Sequence, residues 1–359
     1  MKHPKTPNTI LEELRSASRR AVSLTREETV TFDYLGSDLG LPLVIEARIK
    51  GLVLSTWASS RRELIEDHVF KYGAVLFRNF KVPTATEFER FISSVSEQPF
   101  AYHDRSSPRS EVSGNIYSST EYPADQTIFL HNENSYAHTW PLRIFFCCVT
   151  PAQRGGETPI ADTRKILQRI EPRVRRRFMQ ERVLYVRNFG GGLGLPWQTA
   201  YQTTDRLVAE KHCRESGYET RWEGERLTTR RVGPAIAIHP RTRESVWFNH
   251  ATFFHVSTLD PAIRKALMQE VKQDDLPHNT YYGDGVAIED SVLDHLREAY
   301  QRETVIFQWQ AGDVLMLDNM LTAHGRMPFA GPRQVLVGMS EQCAVREFNG
   351  EGAAVTCRM

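Results

Sequence analysis

The sequence predicts a mostly β fold with flanking helices, built on a double-stranded β-helix, the jelly roll of cupin type. Three observations point there. From Ile116 onward, short apolar runs alternate with turn residues, the texture of short strands. These runs fall into two clusters, 128–149 and 304–340, which must pair across an insertion of about residues 165–305. The segment ahead of them reads helix, strand, helix. Two packed sheets wrapped by helices satisfy all three.

In chain order, residues 1–25 are polar and charge-rich and read as a surface arm. Helical periodicity covers 61–72, and the apolar run 74–77 suits a buried strand. Thr84 and Glu87 stand three apart ahead of Phe88, Phe91, Ile92 and Val95, which predicts a capping box and one apolar stripe. Strands are expected at 127–130, 142–149, 235–238, 245–248, 304–309, 314–317 and 335–339. Helices are expected at 163–180, at 259–272 with Asp260 as N-cap and Pro261 at the first helical position, and around 289–303. No repeat or low-complexity linker divides the chain, so residues 1–359 read as a single domain.

The chain has 45 Lys+Arg against 44 Asp+Glu, with 40% hydrophobic residues, which excludes disorder as its dominant state. A net charge of +1 gives no field to hold a polyanion, and no stretch approaches the ~18 apolar residues of a membrane span. Neither nucleic acid nor membrane is an expected partner. The N-terminus lacks the apolar core of a secretory signal, so a cytoplasmic location is expected. The five cysteines are odd in number and lack CxxC spacing, and they read as buried thiols rather than a disulfide frame or zinc knuckle.

The chemistry concentrates in two places. In Phe129-Leu130-His131-Asn132-Glu133-Asn134, a histidine and a carboxylate stand two apart, and strand periodicity would point both to one side. Residues 312–319 read as a strand and turn that deliver His324. Two histidines and one carboxylate on one face leave the opposite positions of an octahedron open, the arrangement of non-haem Fe(II) oxygenases. The same donors also suit a catalytic zinc. An H-x-E pair alone is common as solvated strand residues; Gly155-Gly156-Glu157-Thr158 and the stretch from His324 to Arg333 give it weight.

With these motifs in order from about Gly73 to Ser340, the chain resembles the taurine dioxygenase/TfdA superfamily of Fe(II)/2-oxoglutarate dioxygenases, which includes clavaminate synthase. The resemblance implies that His131, Glu133 and His324 are the catalytic iron ligands. It also implies that Thr158 and Arg333 hold the far carboxylate of the co-substrate 2-oxoglutarate, with O2 as oxidant. YSSTEYP (117–123), HNENSY (131–136), GGETPIAD (155–162), WFNH (247–250), YGDG (282–285) and LDNMLTAHGR (317–326) are together similar to the SyrP-like branch. That branch modifies amino acids in natural-product (antibiotic) assembly, often on residues tethered to a carrier protein. An oxidoreductase that hydroxylates a small amino-acid-like substrate, free or carrier-tethered, is therefore expected, with desaturation or cyclisation as alternative outcomes. The family more often has Asp at the Glu133 position. Halogenating relatives replace the carboxylate with a small residue, so Glu133 argues against halogenation. Val337 stands where taurine dioxygenase has an arginine for the sulfonate, so taurine is not the expected substrate.

Weaker candidates each carry a plain alternative. Asn249 could contact substrate or close a turn; Tyr136 and Trp140 could wall the pocket or fill the core. Arg105 and Arg109 could grip an acidic substrate from a lid, or be ordinary surface arginines. Residues 190–194 (GGGLG) read as a lid over the site anchored by Trp197 rather than a phosphate loop, because no Lys-Ser/Thr follows. His239, His250 and His255 lack a paired carboxylate at ligand spacing and read as core or pocket-wall residues. Segment 164–187 carries nine basic residues against two acidic ones and could dock an acidic carrier protein, or simply be a solvated helix face. Two other classes stay open. One is a zinc hydrolase, which would need neither Arg333 nor Thr158 and here lacks HExxH; the other is a non-catalytic jelly-roll binding protein.

Overall fold

A computed structural model describes residues 29–35, 40–100, 111–119, 122–349 and 352–357. The major sheet runs through Val30–Tyr34, Leu43–Ala47, Ala74–Arg78, Val314–Asp318, Thr139–Thr150, Gln334–Asn349, Gly352–Cys357, Ile236–Ile238 and Ser245–Trp247. A minor sheet, ordered Thr304–Val305, Ile160–Asp162, Thr322–Arg326, Ile128–His131, packs against it. The expected jelly roll is thus present, and the two distant sequence clusters do pair: Val314–Asp318 lies antiparallel to Thr139–Thr150.

The central strands read as unbroken apolar runs because both their faces are covered. Phe145, Cys147, Val314 and Met316 pack outward with Ile65, Val69, Phe88 and Phe91 of the N-terminal helices. Ile144, Phe146, Leu315 and Leu317 point inward, meeting Ile160 and Val305 of the minor sheet. Helices Arg62–Tyr72 and Ala85–Val95 sit close to where periodicity places them. Thr84 caps the second by accepting from the Glu87 amide at 3.1 Å. The Glu87 carboxylate does not close the expected box; it accepts instead from Ser55. Gly73 ends the first helix at φ 82°, and a side chain there would collide with Thr322 of the minor sheet.

Three expectations are corrected. The helix expected at 163–180 is two, Thr163–Arg169 and Pro172–Glu181, because Pro172 has no N–H to continue the first and a backbone angle suited to starting the second. The strand at 304–309 pairs only over Thr304–Val305. Cys343 and Cys357 are disulfide-bonded, since the last two strands set them opposite each other; Cys147, Cys148 and Cys213 stay buried thiols. The insertion also holds an antiparallel sheet that the expected strands do not include, ordered Glu219–Glu223, Arg226–Gly233, Val183–Phe189, His278–Tyr282. Among the described residues no helix is long and apolar enough to cross a membrane.

Candidate metal centre and its two cavities

The minor sheet makes His131 and His324 cross-strand partners, with ring centroids 4.6 Å apart. Glu133 reaches them differently from the expected strand alternation. His131 is the last residue of its strand, and Glu133 sits in the tight turn that follows, with Asn134 at φ 56°. One donor atom from each of His131, Glu133 and His324 lies within 4.8 Å of the others.

The turn is held from the strand that delivers His324. Asn319 Oδ1 accepts from the Glu133 amide at 2.7 Å, and Asn319 Nδ2 donates to the carbonyls of Glu133 and Pro141, each at 2.9 Å. Asn132 Nδ2 donates back to the Asn319 carbonyl at 2.6 Å. Next to it, Asp318 Oδ1 accepts from the amides of Met320 and Leu321, fixing the turn between Val314–Asp318 and Thr322–Arg326. Its Oδ2 accepts from Arg143 at 2.7 Å and from His239 Nε2 at 3.0 Å. Burial pushes the Asp318 carboxyl upward, but His239 and Arg143 outweigh it and hold it below the usual carboxylate range. His239 Nδ1 accepts from the Thr242 amide at 3.0 Å, so Nε2 carries the ring proton.

A divalent iron fits these donors. A carbonyl can only accept, so the 2.9 Å bond between His131 Nδ1 and Phe129 O puts the proton on Nδ1 and leaves Nε2 as the metal-facing lone pair. His131 is further fixed by stacking on Phe253, centroid to centroid 4.3 Å. Two imidazoles and one carboxylate suit a first-row divalent ion with open positions.

Two cavities meet at His131. The inner one, a narrow cavity of about 40 Å³, is lined by Ser119, Phe146, Thr158, His324 and Arg333 among others. Arg333 Nε donates to the Gly156 carbonyl at 3.0 Å, and one terminal nitrogen to Ser119 at 3.4 Å. Among the described residues no carboxylate forms an ion pair with it. Burial, with Arg326 nearby, pulls its guanidinium down to about 10. A half-buried cation without an anion, facing a cavity, is a site for one. Thr158 Oγ1 accepts from Trp309 Nε1 at 3.1 Å, which leaves its own hydroxyl proton for a ligand. The outer cavity, about 700 Å³ and open to solvent, is lined by Glu133 and His131 together with Phe129, Phe253 and Phe254.

The other expected contacts lie elsewhere. Asn249 is buried with both ends of its amide taken up, donating to Ala235 O at 2.8 Å and accepting from Ala251 N at 2.9 Å; it lines neither cavity. Tyr136 is buried against His250, Phe254 and Tyr185, behind the site. Trp140 packs on Phe248 in a separate core cluster. Arg105 and Arg109 lie outside the described residues. The glycine-rich loop 190–194 is not a lid over this site: it packs beside Arg226 and Pro277, and Trp197 is buried against Trp222. In the basic segment, Arg164, Arg169, Arg173 and Arg177 pair with Asp162, Glu303, Glu171 and Glu289, which shrinks the expected field. Sequence reasoning missed Asn319, Trp309 and Phe253. Asn319 was visible in LDNMLTAHGR, but nothing along the chain pairs it with Glu133.

Comparison with known proteins gives concordant results. The family model described as taurine catabolism dioxygenase TauD, TfdA family, matches residues 36–340. The chain is 37% identical to dapdiamide synthesis protein DdaC of Enterobacter agglomerans, over 77% of this chain and 84% of the relative. It is 28% identical to a clavaminate synthase-like protein of Arabidopsis thaliana, over 78% and 85%. In fold it is similar to PvcB of Pseudomonas aeruginosa, with TM-score 0.54 at 15% identity over 92% of this chain and 98% of the other.

Proposed function

Because this chain belongs to the TauD/TfdA family of dioxygenases, an Fe(II)- and 2-oxoglutarate-dependent enzyme using O2, we propose that it oxidises an amino-acid-like substrate in natural-product biosynthesis. His131, Glu133 and His324 hold the iron in this reading, and Arg333 with Thr158 holds the far carboxylate of 2-oxoglutarate. The observation that carries it is the join of the inner and outer cavities at His131, with Arg333 lining the inner one.

When bound, iron and 2-oxoglutarate supply oxidative decarboxylation to succinate and CO2 coupled to oxidation of a substrate C–H bond. The protein's part is orientation and dryness. Arg333, charged at neutral pH, and the Thr158 hydroxyl position the keto acid. Asn319 and the Phe129 carbonyl keep Glu133 and His131 aimed. Phe129, Phe253 and Phe254 line the outer cleft with apolar surface beside the reacting carbon.

A role in a biosynthetic pathway is supported by the relatives: DdaC is named for dapdiamide synthesis, and PvcB is described as an Fe, α-ketoglutarate-dependent oxygenase from an isonitrile synthetic pathway. Desaturation or ring closure would use the same residues. A carrier docked on segment 164–187 has only the basic residues not already paired, so charge reversal at Arg175 and Arg176 is its test. In the main experiment, protein, Fe(II) and 2-oxoglutarate are combined without oxygen, where a visible charge-transfer band is expected. Aerobic incubation with amino acids, free and carrier-loaded, is then followed by succinate release and product mass. No band, or a band unchanged by Arg333→Ala, would overturn the assignment.

A further inference from the structure

The motif Trp247-Phe248-Asn249-His250 has no part in the site so far, and Asn249 lines neither cavity. Its hydrogen bonds instead build a turn. Asn249 joins Ala235 O to Ala251 N, Thr280 Oγ1 donates to Ala251 O at 2.6 Å, and Phe254 N donates to His250 O at 3.1 Å. The His250 amide donates to the Tyr185 hydroxyl at 3.1 Å. Tyr185 and Thr280 belong to the sheet of the insertion, so the turn 249–254 is fastened to that sheet. It presents two rings, His250 and Phe253, to the metal ligands.

Phe253 stacks on His131 at 4.3 Å with the ring planes 18° apart. His250 is 1% exposed and stands edge-on to both rings, 5.1 Å from Phe253 and 5.8 Å from His131. Its Nδ1 shares a 2.6 Å hydrogen bond with Ser135 Oγ. Ser135 is buried two residues beyond Glu133, and its amide donates to the Asn132 carbonyl at 3.2 Å, which makes it part of the same tight turn as the carboxylate. One imidazole therefore meets both the ring that packs on the first ligand and the turn that aims the second. Separating His250 from Ser135 would leave two buried polar groups without each other and away from water, so the tether resists displacement. Resting on the assignment of His131, Glu133 and His324 as ligands, we infer that His250 is a positioning residue of the metal centre. Through Ser135 it fixes the Glu133 turn and through Phe253 the His131 ring, from the insertion side, while Asn319 fixes the same turn from the segment leading to His324.

The test is Co(II) binding by the full chain, followed by the visible d–d bands of the ion, which report ligand geometry independently of turnover. His250→Phe keeps a ring and removes the bond to Ser135; Ser135→Ala removes the same bond from its other end by deleting one oxygen. Each should weaken Co(II) binding about tenfold and change the band envelope, with circular dichroism retained. Because both delete one interaction, the double variant should bind no more weakly than the weaker single. Trp247→Phe is the comparison: this side chain is as deeply buried in the same motif and packs edge-on against Phe178 at 5.2 Å. It should lower the melting temperature and leave Co(II) affinity within about twofold, because its loss falls on the core alone. Wild-type affinity and bands in Ser135→Ala, additive losses in the double variant, or an equal loss in Trp247→Phe would each overturn the inference and leave the ligand assignment standing. Ser135→Ala decides alone if His250→Phe does not fold. A wild-type chain that binds no Co(II) overturns the ligand assignment and the inference together.

Discussion

Asn319 touches no substrate in this arrangement, yet three hydrogen bonds through its side chain and carbonyl tie it to the Glu133 turn, and a fourth ties it to Pro141 of strand Thr139–Thr150. Its replacement should therefore appear in metal affinity before it appears in folding. Asn319→Ala is expected to weaken Fe(II) binding about 10- to 100-fold, measured by anaerobic titration, with the circular dichroism of the fold retained. Asp318 plays the complementary, structural part. Because its folded pKa is depressed, its contribution to stability is complete above pH ~4 and is lost as the pH falls through the depressed value. Asp318→Asn leaves Arg143 with only the more distant Glu66 and Glu341, at 3.8 and 3.7 Å. It should cost about 3 kcal/mol in urea unfolding at neutral pH. A loss below about 1 kcal/mol would show that the buried pair is not a main support of the turn.

At the scale of elements, strands covered on both faces carry the architecture. Phe145, fully buried in Thr139–Thr150, meets Phe91 edge-on at 6.0 Å. Phe145→Ala should cost about 3–5 kcal/mol, whereas Ile306→Ala, at a half-exposed position, should stay within about 0.5 kcal/mol. Chemical denaturation of the two variants side by side checks the contrast. The same covering explains what could be read from the chain. Val314–Asp318 and Thr139–Thr150 announce themselves as apolar runs, and helix Pro261–Glu270 as an Asp-Pro start. The sheet of the insertion does not. Arg226–Gly233 alternates burial through Leu227, Thr229, Arg231 and Gly233, a period that side-chain polarity hides, and Glu219–Glu223 is mostly exposed. The candidate ligands were legible because motif order carries them. The turn geometry of Glu133 and the pairing of Ser135 with His250 were not, because they depend on side chains brought together from distant segments.

For the whole molecule, metal and keto acid bound at the proposed site should stabilise the fold by mass action, about 2.7 kcal/mol for a ligand at 100 times its Kd. Thermal unfolding without oxygen should rise with Fe(II) and rise again with 2-oxoglutarate. Arg333→Ala should keep the first increment and lose most of the second; loss of both would mean the arginine supports the fold rather than the co-substrate. The pairing of His131 with His324 has one more consequence. A slip of one residue between Ile128–His131 and Thr322–Arg326 would turn one imidazole to the opposite face of the ladder, so the ion can be captured only by chains whose strands are correctly aligned. Iron uptake thus doubles as a check on assembly, and amide hydrogen exchange along Thr322–Arg326 should slow when the metal arrives.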